Sequence, residues 1–362
     1  MKRHNLVIIE PGRVELVEET LPELPDGGLL LRTVATGLSA GTELTFLKGD
    51  NPGLHARLDA EMGLFVPRTQ DDTSYPVRRL GYMEVARVEQ SRTDAFAVGD
   101  VVATAYGHAT AHVSDPVREH VVPLPPDLDV LLGVYVAHLG PICANGLLHA
   151  AAETTGGAVT SLGQGVSGRR VAVTGAGLIG LLTALLAKEH GADEVVVLDP
   201  DPRRRNIAEK LGMWAPTVDD PAVLLKTRWR HGPADHGADL VFQCRGRPAA
   251  LATALRVLRP QGTVVDLAFY TGGAEDVRLG DEFHHNGLTV RCAQIGRVPR
   301  GLSSSWDRQR LSAETVRLLR HRGADIRSHL MTDVLPLADA PILLHDLAAR
   351  RRHVLSAVFT VD

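Results

Sequence analysis

Apolar and polar positions alternate in short runs through the first third of the chain, and then the rhythm changes. Residues 5–9, 13–17, 29–35, 83–90, 100–105 and 120–123 each read as a strand of period two, punctuated by Gly, Pro and Asp. Helical spacing in this part is confined to 53–65, so the excursion 51–76 is expected to hold a short helix and a loop. A loop that long in a compact domain is often functional. From 137 to 153 the chain turns apolar and rich in small residues, which predicts one or two helices. Beyond it, buried runs at 171–174, 194–198, 238–244, 262–268 and 288–295 alternate with helical stretches at 181–189, 203–211 and 248–258. That alternation predicts an α/β fold with a doubly wound parallel sheet, preceded by an irregular, mostly antiparallel β-domain. The tail predicts a helix over 313–321, a strand near 330–334, a helix over 338–348 and a last strand over 355–360.

One unit of this pattern carries chemistry. The run VAVT at 171–174 leads straight into Gly175-Ala176-Gly177-Leu178-Ile179-Gly180, then a helix, then a second apolar run that ends on Asp199. A GxGxxG between strand and helix, with an acid about twenty residues on, is a dinucleotide fingerprint. Gly175 suits the tight turn, Gly177 lets backbone approach a pyrophosphate, and Gly180 lets the helix pack on the strand. The helix N-terminus offers unpaired N–H groups to phosphate. Asp199 is expected to accept from the adenosine ribose hydroxyls and to repel a 2′-phosphate, which favours NAD(H) over NADP(H). Arg203, Arg204 and Arg205 pull the other way, because arginines here hold a 2′-phosphate unless they form the solvated turn of the next helix.

Composition narrows the class. The 362 residues suffice for two domains, and 44% hydrophobic with 23% charged residues is ordinary for a globular protein. A net charge of −4 argues against a nucleic-acid surface. No apolar run reaches the roughly twenty residues of a membrane helix, and the first residues read as a strand with no signal-peptide core. Cys143, Cys244 and Cys292 form no CxxC pair and point to a reduced, cytoplasmic setting.

Several local segments then converge. Gly37-Leu38-Ser39-Ala40-Gly41-Thr42-Glu43 resembles a G-I-C-G-T-D segment with one extra residue, Gly81-Tyr82-Met83 a G-H-E, and Val98-Gly99-Asp100-Val101-Val102 a V-G-D-R-V. Residues 238–244, 258–263 and 335–340 resemble later segments of the same pattern. Nearly the whole chain therefore resembles the medium-chain dehydrogenase/reductase superfamily, most nearly its bacteriochlorophyllide hydroxyethyl dehydrogenase-like group. The resemblance implies a GroES-like irregular β-barrel catalytic domain over 1–139, a Rossmann domain over 140–296, and a return segment over 297–362. It also implies a homodimer or homotetramer built by pairing the last sheet strand, and a small-molecule substrate.

The departures are chemical. Where zinc members of the family have a Cys and a His, this chain has Ala40 and Tyr82, and 140–143 offers Cys143 but no carboxylate. A catalytic zinc needs about three protein ligands, and the structural-zinc lobe is missing too, so no metal is expected. Without a metal, a hydrogen-bond donor must stabilise the substrate oxygen. Thr42, Tyr82 and His138 are the candidates; the plain alternatives are a turn cap, a filler of the vacated metal cavity and a satisfied helix histidine. By resemblance, Arg204 contacts the adenosine ribose, Cys244 and Gly246 close its side, and Phe269 lies near the nicotinamide or in the core. The expected activity is zinc-independent, NAD(H)-dependent interconversion of a secondary alcohol and a ketone on a polar, sugar-, cyclitol- or natural-product-like molecule. Reduction of an activated C=C bond, as in enoyl and quinone reductases, is the first alternative. Nucleotide binding without turnover is the second.

Overall fold

The computed structural model describes residues 1–69 and 74–361; residues 70–73, part of the 51–76 excursion, lie outside the described residues. The chain forms two compact units, Met1–His138 with Met331–Asp362, and Leu139–Leu330.

The first unit opens with an antiparallel hairpin of β1 (Lys2–Glu10) and β2 (Arg13–Thr20). β3 (Leu29–Gly37) leads directly into a helix, α1 (Ala40–Lys48). That helix is not evident in the apolar pattern. It is nine residues long, and Gly49 stops it in the left-handed region at φ +80°. Downstream, β4 (Ala56–Asp59) and β5 (Leu64–Pro67) form a hairpin where a helix was expected. Leu54, Leu58, Met62 and Phe65 do have helical spacing, but the last three are 54%, 64% and 65% exposed, so no core rewards the stripe. The Asp59 carboxylate instead accepts the N–H groups of Glu61 and Met62 and shapes a turn that Gly63 completes at φ +69°. β6 (Glu84–Ser91), β7 (Val101–Thr104), β8 (Ala111–Ser114) and β9 (Val121–Pro123) follow.

The second unit holds α2 (Leu139–Thr154), β10 (Arg170–Thr174), α3 (Leu178–Glu189), β11 (Glu194–Leu198) and α4 (Pro202–Lys210). It continues with α5 (Pro221–Arg228), a small hairpin of β12 (Arg230–Gly232) and β13 (Asp235–His236), and β14 (Ala238–Gln243). α6 (Pro248–Val257), β15 (Leu258–Asp266), β16 (Thr289–Cys292) and α7 (Arg308–His329) complete it. Five strands pair in parallel in the order β11-β10-β14-β15-β16, as strand–helix alternation requires. Val196, Val241, Val264, Leu225 and Trp229 pack on one face of this sheet.

The chain then returns to the first unit as β17 (Met331–Pro336), α8 (Ala340–Ala348) and β18 (Ser356–Thr360). β18 sits inside a seven-stranded sheet, parallel to β17 and antiparallel to β3; β6, β7 and β9 continue the sheet and β8 also pairs with β3. The return begins at Met331, not near residue 297. The reason is α7, which packs on α2: a Cβ at Gly140 would lie 2.1 Å from the Thr315 side chain, so glycine there lets the two helices meet. Trp306, 1% exposed, also donates its Nε1–H to the Val159 carbonyl.

Candidate active site

The sequence of the second unit places its glycines at the mouth of the parallel sheet. β10 ends at Thr174, and Gly175 turns at φ +104°, a conformation that favours glycine. A Cβ at Gly180 would lie 1.8 Å from the Gly175 carbonyl oxygen, so the start of α3 touches the turn itself. Gly177, the N-cap of α3, faces open space, with nothing within 4 Å of a Cβ built there. The first intrahelical bond runs from Leu181 N–H to the Gly177 carbonyl, so the amides of Leu178, Ile179 and Gly180 stand before it at the helix start. Together these make a cradle that fits a pyrophosphate. A cavity of about 780 Å³ opens beside it, lined by Gly175, Asp199, Pro200, Arg205, Arg245 and Arg247 among others.

Asp199 ends β11 and is 8% exposed. Its Oδ2 accepts the Ala176 N–H at 2.8 Å and its Oδ1 the Asp201 N–H at 2.8 Å, so the carboxylate is already bound to the glycine turn. The three arginines behind it are not equivalent. Arg203 pairs with Asp201 at 2.8 Å and pulls that carboxyl down to about 2. Arg205 donates to the carbonyls of Asp199 and Pro200 and to Thr217 Oγ1. Arg204 lies 3.9 Å from Asp199. On the far side of the turn, the Cys244 N–H donates to the Thr174 carbonyl, and a Cβ at Gly246 would lie 2.1 Å from the Phe269 carbonyl oxygen. Phe269 is 48% exposed, which settles its alternatives against the core.

In the first unit the candidates for proton transfer gather around Tyr82. The hydroxyls of Tyr82 and Ser39 hydrogen-bond each other, and the Tyr82 and His138 rings lie 4.6 Å apart between centroids. Ser39 is the N-cap of α1, and its carbonyl accepts the N–H groups of Thr42 and Glu43, which brings Thr42 one turn from the pair. Glu43, 1% exposed, holds the arrangement. Its Oε1 accepts the Ser39 N–H at 2.7 Å, and its Oε2 lies 2.8 Å from His108 Nε2. His108 Nδ1 meets Thr36 Oγ1 at 2.7 Å, and its ring lies against Gly81, where a Cβ would approach within 2.9 Å. Ser39 and His108 were not singled out in the sequence. Ser39 lies within the segment aligned to the family's Cys but beside the aligned position; His108 carries no periodic signal.

Among the described residues no three His, Cys, Asp or Glu side chains converge as a metal requires. Cys143 is buried on α2, donates to the carbonyls of Leu139 and Ile179, and burial pushes its thiol up to about 12.

Comparison with known proteins agrees with the geometry. A protein-family model for zinc-binding dehydrogenases matches residues 179–308. The D-guloside 3-dehydrogenase of Escherichia coli K12 is 27% identical over 311 residues, 83% of each chain. The L-threonine 3-dehydrogenase of Pyrococcus horikoshii is 37% identical over 122 residues, 33% of this chain and 34% of that one. The structure of galactitol-1-phosphate dehydrogenase from Escherichia coli superposes with a TM-score of 0.76 at 18% identity, covering 99% of this chain and 100% of that one. These matches fall across the family and single out no branch of it. With the glycine turn, the parallel sheet and the returning β-domain in place, the chain has the fold of these dehydrogenases and is similar to the medium-chain dehydrogenase/reductase superfamily.

Proposed function

We propose that the protein is an oxidoreductase that interconverts a secondary alcohol and a ketone with NAD(H) and without a catalytic zinc. The observation that carries this reading is the Tyr82–Ser39 hydroxyl pair beside the His138 ring, with Tyr82 aligned to the metal-binding His of the family's zinc members. When bound, the dinucleotide supplies or accepts a hydride. The chain's own residues do the rest. In the direction of reduction, Tyr82 Oη donates a proton to the substrate oxygen, and Ser39 Oγ and the His138 ring return one to it. Thr42 adds a hydroxyl one turn away. Glu43 and His108 hold Ser39 and Gly81 in place and do not touch substrate.

NAD(H) is favoured because Asp199 puts a carboxylate at the end of β11, while Arg203 and Arg205 are already engaged. The relatives that act on guloside and threonine support a polar substrate with a secondary alcohol. An assembly of two or four copies is favoured by β16, which is the edge of the parallel sheet and offers unpaired backbone groups. A cytoplasmic setting is favoured by three cysteines without a disulfide. No helix among the described residues is long and apolar enough to cross a membrane.

The test is a product analysis with NADH and a panel of α,β-unsaturated ketones extended by keto-sugars. An allylic or secondary alcohol supports carbonyl reduction. A saturated ketone moves the chain to the C=C reductases. Tight NADH binding with no hydride loss to any of the panel supports a nucleotide-binding role without turnover.

A further inference from the structure

Three adjacent strands of the parallel sheet end on polar residues that the proton path does not use. Thr174, Gln243 and Asp266 stand in register at the ends of β10, β14 and β15. They are joined by a chain of hydrogen bonds with one direction. Thr174 Oγ1 donates to Gln243 Oε1 at 2.6 Å, which orients the amide. Its Nε2 then donates to the Arg245 carbonyl at 2.6 Å and to Tyr270 Oη at 2.8 Å. Tyr270 donates to Asp266 Oδ2 at 2.9 Å, and the Ala268 N–H donates to Asp266 Oδ1 at 2.9 Å.

The donors of Thr174, Gln243 and Tyr270 run in series towards the carboxylate, while Gln243 gives its other N–H to the Arg245 carbonyl, and aligned hydrogen bonds polarise one another in that sense. Gln243 is fully buried, so its amide has no solvent with which to reverse the pattern. Burial pushes the Asp266 carboxyl up, and the two donors oppose that; burial also raises Tyr270 and keeps it a donor. Among the described residues Asp266 has two hydrogen-bond donors and no ion-pair partner.

Its place on the sheet gives this charge a target. The glycine turn follows β10 and Asp199 follows β11, so the adenosine half of a dinucleotide belongs on that side. A dinucleotide lies along the carboxyl edge of a doubly wound sheet across the switch point, so its other half runs over β14 and β15. We propose that Asp266, held by Tyr270 and Gln243, selects the oxidation state of the cofactor, its uncompensated negative charge favouring the cationic nicotinamide ring over the neutral dihydronicotinamide. With NAD⁺ the tighter-bound form, the bound equilibrium leans towards NAD⁺ and alcohol, that is, towards ketone reduction. This inference rests on the nucleotide reading above.

The experiment measures Kd for NAD⁺ and for NADH separately, by calorimetry and by nicotinamide fluorescence, in the wild type, Asp266→Asn and Asp266→Glu. One unit charge in a partly buried site changes such a ratio by roughly ten-fold. Asp266→Asn is expected to weaken NAD⁺ about ten-fold while NADH binding is retained, which also reports that the unit is folded. Asp266→Glu keeps the charge and is expected to keep the preference. Equal changes for both forms in Asp266→Asn, or no change in either, overturn the proposal. So does loss of the preference in Asp266→Glu alongside retained NADH binding, because shape rather than charge would then carry it. A wild-type chain that binds neither form overturns both the proposal and the reading beneath it.

Discussion

Adding one methyl group at each of two neighbouring glycines should give opposite results. At Gly180 a Cβ would lie 1.8 Å from the Gly175 carbonyl oxygen, a backbone atom that no side-chain rotation can move aside. Ordinary contact would require α3 to retreat from β10 by roughly 1.5 Å, in a unit where Leu181, Leu182 and Leu185 are fully packed. Overpacking of this kind costs about 2–3 kcal/mol, which for a unit of this size lowers its melting temperature by about 4–12 °C. At Gly177 a Cβ meets nothing within 4 Å, and φ −80° with ψ −177° is open to any residue. Gly177→Ala should therefore lose only the N-cap preference of Gly over Ala, about 1 kcal/mol, and melt about 2–4 °C below wild type. Its methyl stands where backbone must approach a pyrophosphate, so NADH binding should fall at least ten-fold. Thermal unfolding with and without NADH, together with fluorescence titration, separates the two effects. The reasoning is refuted if Gly180→Ala melts like wild type, or if Gly177→Ala binds NADH undiminished.

Three further outcomes are expected. Tyr82→Phe should lower turnover for carbonyl reduction by about 10²–10³-fold with NADH affinity unchanged, and Ser39→Ala should lower it less; stopped-flow hydride transfer would show equal rates if the pair is only structural. His149, on α2, is held neutral by burial and by Arg291, whose Nε donates to its Nδ1, so its ring drops to about 4 from 6.5. The unfolded chain then binds the extra proton first, and stability should fall as pH drops from about 6.5 towards 4; His149→Gln should flatten that slope in urea unfolding, and an unchanged slope would refute the assignment. Asp199→Ser should narrow the preference for NADH over NADPH, measured as the ratio of Kd values; a wild type with no preference would show that the bound, buried carboxylate does not discriminate.

The fold was legible wherever burial was periodic. Runs such as 171–174 and 194–198 are buried on both faces, and a parallel strand cannot be written any other way. α1 was not legible because nine residues with two inward leucines do not establish a period, and its end is marked by one glycine conformation. The hairpin at 56–67 was misread because its apolar residues follow a helical spacing with no core beneath it. The boundary at 331 escaped because it depends on Gly140 meeting Thr315, a contact between residues far apart in the chain. The site divides in the same way. The glycine turn is local and visible as a motif. The pairing of Ser39 with Tyr82, and of Glu43 with His108, depends on strand pairing that brings residues 36 and 84 side by side, and no short stretch of sequence records it.

The position of β18 has a consequence for how the molecule is made. The first unit cannot close its sheet from its own N-terminal residues, because the neighbour of β3 on one side arrives more than 300 residues later. During synthesis the second unit has all its strands and helices by Leu330, so it can complete its core while the first still shows β3 as an open edge. That edge is the surface most exposed to wrong pairing on the nascent chain. Losing the strand Ser356–Thr360 would leave the second unit intact and the sheet of the first unfinished, so ribosome-stalled chains should gain NADH binding well before they gain turnover.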